Sequence, residues 1–119
     1  MAGLQPVSGY DADIAPLLTG AADGVIFKHS PTCDLSAIAF QQMSQFTSAH
    51  PEVTVVLVDV LDQRMLSQRI ERELHVRHES PQAIVLRAGQ IVWHGSHRRV
   101  TAAAVEVACG DAGTPPATA

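Results

Sequence analysis

Val25-Ile26-Phe27-Lys28-His29-Ser30-Pro31-Thr32-Cys33-Asp34-Leu35-Ser36 runs from an apolar strand, through a polar turn, into what reads as the start of a helix. Cys33 stands at the junction. A thiol there faces the first backbone N–H groups of the helix, which lack intrahelical acceptors, and the positive end of the helix dipole. Both favour thiolate over thiol. Downstream, Glu79-Ser80-Pro81-Gln82 leads directly into a second apolar run, Ala83-Ile84-Val85-Leu86. A strand, a cysteine and a helix, followed later by a proline that opens a strand, point to an α/β protein with a thiol site at its strand ends.

Working outward, Leu4 to Ser8 reads as a short strand that Pro6 keeps at a sheet edge. Asp11 or Asp13 would cap a short helix through Leu17-Leu18, stopped near Gly20. Thr32 or Cys33 opens a helix to about Ala49, because Leu35, Ala39, Met43 and Phe46 recur at helical spacing. Val53 to Val60 is almost wholly β-branched or Leu, which suits a parallel strand covered on both faces. Asp62 would cap a helix over Gln63 to Leu74, with a narrow apolar stripe of Leu66, Ile70 and Leu74. Ala83–Leu86 and Ile91–His94 flank a short glycine-containing link and read as a hairpin. Thr101 caps a last helix ending near Gly110. The expected order is β-α-β-α-β-α-β-β-α, a mixed central sheet with helices on both faces. One domain over residues 1–110 is expected, with 111–119 as a loose tail.

Composition narrows the function classes. The 119 residues are 46% apolar, as in ordinary globular proteins. Eight Lys and Arg against twelve Asp and Glu give a formal charge of −4, with no basic run to grip phosphates, so nucleic acid is not an expected partner. Lys28 is the chain's only lysine, which reads as a matter of composition. No stretch approaches a membrane span, and Met1 to Asp13 has no secretory pattern. Two cysteines without an export signal do not suggest a structural disulfide, so a reducing cytoplasm is the expected compartment.

The two cysteines read differently. Cys33 has polar neighbours, Thr32 and Asp34, at an exposed junction, and is the candidate nucleophile. Asp34 opposes the thiolate through its own charge, and the helix start outweighs it if that carboxylate is solvated. Ser36 lies where a dithiol oxidoreductase carries its second cysteine. A hydroxyl cannot resolve a mixed disulfide, so the reaction would stop at a Cys33 adduct until an outside thiol attacks. Ser36 could instead donate a hydrogen bond to the thiolate. Cys109, at the end of the last helix, has no evident relation to that site. Pro81 is either a proline tolerated at a strand start or a cis-proline turning the Ser80 backbone toward Cys33, free to pair with an incoming peptide. His29 and His78 fall near the same end of the sheet, where a histidine would tune the thiolate. The histidines lack metal-site spacing, and Trp93 reads as packing.

Three motifs then occur in a recognisable order. Ile26-Phe27-Lys28-His29-Ser30 precedes Thr32-Cys33-Asp34-Leu35-Ser36; Val76-Arg77-His78-Glu79-Ser80-Pro81-Gln82 follows; Trp93-His94-Gly95-Ser96-His97 comes last, with Thr101 beyond. Together they resemble the monothiol bacilliredoxins of the YtxJ type, over roughly Val25 to Val105. The resemblance implies a thioredoxin-like fold and a role in bacillithiol redox chemistry. Cys33 would free S-bacillithiolated client proteins by taking bacillithiol as its own adduct, and a second bacillithiol would regenerate it. Bacillithiol is then a co-substrate, with no permanently bound cofactor, and Pro81 is the cis-proline facing the cysteine. Thr32, Asp34, Ser36 and His29 would surround the thiolate; Ser80, Pro81 and His78 would meet the substrate. The chain departs from the family pattern at Asp34, where Thr-Cys-Pro is usual. Two other functions fit the same residues: an iron–sulfur carrier like the one-cysteine glutaredoxins, and a non-catalytic adaptor built on the same fold.

Overall fold

The computed structural model describes residues 4–6 and 10–112. In chain order these form β1 (Gln5–Pro6), a π-helical turn (Tyr10–Ile14) running into α1 (Ala15–Thr19), β2 (Gly24–His29), α2 (Asp34–Ala49), β3 (Val55–Asp59), α3 (Arg64–Leu74), β4 (Gln82–Arg87), β5 (Gln90–Ser96), a 3₁₀ turn (His97–Arg99) and α4 (Ala102–Ala112). Among the described residues the strands make one mixed sheet, ordered β1-β3-β2-β4-β5. β3 runs parallel to both β1 and β2, whereas β4 is antiparallel to β2 and to β5.

Alternation along the strands separates two cores. On one face Ile26, Val56, Val58, Ile84 and Leu86 pack with Ile14 and Leu17 at α1 and with Leu66 and Ile70 of α3. On the other, Val25, Phe27, Val55, Ala83 and Val85 meet Ala39, Met43 and Phe46 of α2 and Val105 and Ala108 of α4, with Trp93 packed against them. Both faces are thus covered, and the C-terminal end of β2 emerges between them. No helix among the described residues is long and apolar enough to cross a membrane.

The ends of the elements shift where side chains compete for backbone N–H groups. Asp62 does not cap α3. The Asp59 carboxylate instead accepts from the N–H groups of Leu61 (2.9 Å) and Asp62 (3.1 Å), ending β3, and the helix begins after Gln63. α1 likewise starts without a side-chain cap, after the π-helical turn and with Pro16 in its first turn; the Asp11 side chain lies outside the description. β1 is shorter than the expected Leu4–Ser8, and residues 7–9 are not described. At α4 the expected cap is present: Thr101 Oγ1 accepts from Ala104 N at 3.1 Å, and Gln42 of α2 accepts from Ala102 N at 2.9 Å. That helix continues to Ala112, past the expected stop at Gly110, and residues 113–119 of the expected tail lie outside the description.

The β4–β5 hairpin turns on Ala88 (φ 53°) and Gly89 (φ 79°), two left-handed residues that match strand twist. Its tip rests on the end of α1, where a Cβ on Gly89 would sit 2.7 Å from the Leu18 carbonyl oxygen. α3 is held chiefly through Leu66 and Ile70. Ile70→Ala is therefore expected to cost about 2–5 kcal/mol, read as a lower urea midpoint at unchanged slope.

Candidate functional site

The site is built on the turn that joins β2 to α2. Cys33 N donates to Ser30 O at 3.2 Å, closing a four-residue turn with Pro31 at its second position. Ser30 N in turn donates to Ser36 Oγ at 3.2 Å, so the loop is pinned at both ends. Cys33 itself is the N-cap residue of α2, in extended conformation (φ −107°, ψ 130°). Its carbonyl accepts the first helical bond from Ala37 N, at 3.1 Å. The thiol is half-buried and free, beside the unpaired N–H groups of the first helical turn. Asp34 is exposed in that turn, and Thr32 Oγ1 lies 3.4 Å from Ser30 Oγ.

Ser36 is fully buried. Its observed bond accepts from Ser30, and no hydrogen bond joins it to Cys33 among the described residues. The side chain fixes the shape of the loop, a different task from the donation to sulfur that the sequence suggested.

Across the site, the Ser80–Pro81 peptide bond is cis. Lys28 pairs with Gln82, so one further step of that antiparallel register brings Pro81 level with His29, near the start of the Cys33 turn. Pro81 is buried, and its carbonyl accepts from His97 N at 2.9 Å, tying the proline to the end of β5. A cavity of about 270 Å³ lies between the first turns of α2 and the β5–α4 connection, lined by Leu35, Ile38, Gln42, His97 and Arg98. Two buried polar atoms at this end, Ser80 Oγ and His29 Nδ1, have no hydrogen-bond partner among the described residues.

The two expected histidines face different surroundings. The His29 ring packs against Phe40 (centroids 5.0 Å apart) and Phe27 (5.9 Å). Burial lowers its pKa, with Asp59 and the Ser36 backbone offsetting part of the effect, so at neutral pH it offers a neutral ring to its surroundings. His78 is turned to the α3 side: Nδ1 lies 3.2 Å from Lys28 Nζ and 3.1 Å from Ser67 Oγ, and its backbone N–H donates to Glu71 at 2.6 Å. Burial, then the Lys28 charge, lowers its pKa as well.

Lys28 is the residue that sequence reasoning passed over. It is 0% exposed, and its ammonium donates to Ser67 O at 3.1 Å as well as approaching His78. It therefore holds the loop before Pro81 from behind the sheet. Burial lowers its pKa to about 8, with Glu71 partly opposing the shift. A lone lysine two positions from Ile26, on the same strand face, was the available signal.

Cys109 lies at the other end of the sheet. It lines a cavity of about 280 Å³ with Gly24, Thr54 and Arg87. The length of β2, roughly 17 Å, separates that end from the Cys33 turn, far beyond the reach of a disulfide. Burial, then Glu52, pushes the Cys109 thiol up to about 11. Among the described residues no three His, Cys, Asp or Glu side chains gather into a possible metal site.

Comparison with solved structures places the chain in the thioredoxin fold. A protein assigned as an oxidoreductase with that fold matches at TM-score 0.79 and 28% identity, covering 88% of this chain and 92% of its own. Malassezia sympodialis thioredoxin matches at 0.73 and 17% identity, over 96% of this chain and 94% of its own. Trypanosoma brucei brucei thioredoxin also matches at 0.73, with 15% identity over 94% and 92%. The family model described as Monothiol bacilliredoxin BrxC matches residues 12–105. The chain belongs to that family, and is a thiol redox protein on a thioredoxin scaffold.

The buried amine gives a pH signature. Lys28 titrates near 8 when folded and near 10.5 when unfolded. Between those values the unfolded chain binds more protons, so stability rises with pH through that window. Chemical unfolding at pH 7 and pH 9 should show a gain of about 1 kcal/mol that Lys28→Met lacks. The Cys109 thiol acts in the opposite direction, but only above its ordinary value of 9.0.

Proposed function

We propose that the protein removes bacillithiol from protein mixed disulfides, with Cys33 as the catalytic residue. The Cys33 thiolate attacks the bacillithiol sulfur of a protein–S–S–bacillithiol disulfide. That S–S bond breaks, a new one forms to Cys33, and the client sulfur leaves as thiolate and takes a proton from water. A second bacillithiol thiolate then attacks the Cys33 adduct, restoring Cys33 and releasing bacillithiol disulfide. Each turnover consumes one bacillithiol thiol: its sulfur is oxidised to the disulfide level as the client sulfur is reduced to a thiol, and the other half of the released disulfide is the bacillithiol first carried by the client.

One observation carries this reading: the thiol at the helix start is half-buried and reachable, whereas the other thiol is held protonated at the far end of the sheet. Ser36 in place of a second cysteine accounts for the need for an external thiol. The cavity between the first turns of α2 and the His97–Thr101 segment offers the client a surface near the helix start, and Pro81 is tied to the same segment through His97 N. Thr32 and Asp34 rim the thiol, while Ser80 and Pro81 meet the incoming disulfide. His29 tunes the site as a neutral ring, and His78 acts through the loop it anchors. A cytoplasmic setting, where bacillithiolated clients and bacillithiol meet, completes the reading, with no resident cofactor.

Incubation with a bacillithiolated client, followed by intact mass spectrometry, tests it. Cys33→Ser should abolish both client release and the bacillithiol adduct, and Cys109→Ser should leave both intact. Equal loss in the two variants, or in neither, would overturn the proposal. Asp34 sets the rate within this scheme. Two negative charges on adjacent residues, at a separation on the order of 6 Å, repel by about 0.7 kcal/mol at water-like dielectric. Asp34→Asn should therefore raise the iodoacetamide alkylation rate of Cys33 about threefold at neutral pH, with less gain at high salt.

A further inference from the structure

Lys28 and His78 meet on the α3 side of the sheet, and their chemistry fixes where the histidine ring carries its proton. An ammonium group has three donors and no acceptor. With Lys28 Nζ 3.2 Å from His78 Nδ1, that nitrogen is the open acceptor, and the proton of the neutral ring sits on Nε2. Burial, then the Lys28 charge, lowers the pKa of His78 and so keeps the ring neutral at neutral pH. Ser67 Oγ, 3.1 Å from the same nitrogen, suits either tautomer because a hydroxyl both donates and accepts, so the choice falls to Lys28. The charged groups around the pair are Glu71 of α3, which accepts from His78 N–H, Glu79 on the loop beyond His78, and Arg64, which lines the cavity onto which the ring opens. The sheet neighbours of Lys28, Val58 and Gln82, do not titrate. That cavity, of about 320 Å³, also takes in Val60 and Leu61. Val60 N donates to His29 O at 2.9 Å, so the cavity lies at the sheet end that carries Cys33. His78 is exposed there, three residues before Pro81, and its Nε2 has no hydrogen-bond partner among the described residues.

We propose that Lys28 is a positioning residue for His78: its charged amine holds the ring with Nε2–H turned outward, as a fixed donor to a backbone carbonyl of the client segment lying along the proline loop. A neutral carbonyl suits the place better than a carboxylate, since Glu71 and Glu79 both put negative charge near the ring. Leu61, 59% exposed on the same cavity, offers that segment an apolar contact beside the donor. The tautomer stands on the geometry alone, whereas the donor's part in client binding rests on the exchange proposed at Cys33. Loss of the Lys28 proton removes the constraint: a neutral amine accepts as well as donates, and both tautomers of His78 become available. Burial lowers the pKa of that amine to about 8, so the change falls in the weakly alkaline range.

Long-range proton–nitrogen NMR of the intact, isotope-labelled protein tests the tautomer without any thiol chemistry. At neutral pH the His78 Nδ1 resonance is expected at the position of an unprotonated nitrogen, and it should move toward the protonated position in a step centred near pH 8. Lys28→Met should show mixed tautomers already at neutral pH and no such step. A wild-type Nδ1 that carries the proton at neutral pH, or the absence of a step between about pH 7 and pH 9, would overturn the positioning role, and neither result depends on a variant that folds. Wild-type behaviour in a folded Lys28→Met protein would overturn it as well. Kinetics test the donor, with a bacillithiolated peptide set against hydroxyethyl disulfide, which has no carbonyl to offer. His78→Ala and Lys28→Met should each lower kcat/KM for the peptide about fivefold more than for the small disulfide, chiefly through KM, as expected for one hydrogen bond of ordinary strength. Equal losses for the two disulfides would overturn the role given to Nε2–H. A wild type that shows the NMR step but never releases the peptide thiol would sink the exchange reading, and the donor role with it, while leaving the control of the tautomer standing.

Discussion

The antiparallel pairing of β2 with β4 is the constraint on which the functional end of the molecule depends. With Lys28 opposite Gln82, the cis-proline bond arrives level with His29 and the helix-start cysteine follows within one turn. A slip of one residue would turn every side chain of β4 to the opposite face. Ile84 and Leu86 would then leave the α1–α3 core, and Ala83 and Val85 would leave the α2–α4 core. Two apolar layers therefore hold the register, and the register places the proline. The geometry of the thiol site is secured by hydrocarbon packing some distance from it.

Polar groups finish what packing begins. The Lys28 amine sits in the layer beneath α3, bonded to the Ser67 carbonyl and close to His78. Burial of an amine is unfavourable, and its lowered pKa records that cost. In exchange, three segments distant in sequence are tied at one point: β2, α3 and the loop that reaches Pro81. An apolar side chain could fill that space but could not orient a histidine ring and a carbonyl together.

The strands and long helices were legible in the sequence because each is bounded on two faces, so its apolar period is written in full. α2 is readable from Ala39, Met43 and Phe46, and Cys33 could be placed at its start from the polar turn alone. Boundaries were less legible where two acids lie near one turn: Asp59 and Asp62 are equally good acceptors on paper, and only the exit path of β3 gives the N–H groups to Asp59. The partners of Lys28 were illegible for a deeper reason. They lie 39 and 50 residues away from it, and no local pattern links them. The same holds for His78, whose closeness to Ser80 in sequence says nothing about the face to which its ring turns.

The bond from Ser30 N–H into the buried Ser36 hydroxyl reaches beyond the loop it ties. Sulfur is larger than oxygen and a poorer acceptor. A cysteine at position 36 would place a larger atom in a fully buried position and weaken the hold on the amide that steadies the approach to Cys33. Acquiring a second thiol would thus loosen the mount of the first. Dependence on a partner molecule for turnover is built into the backbone here, and a route to self-sufficiency would have to rebuild the turn before it changed the chemistry.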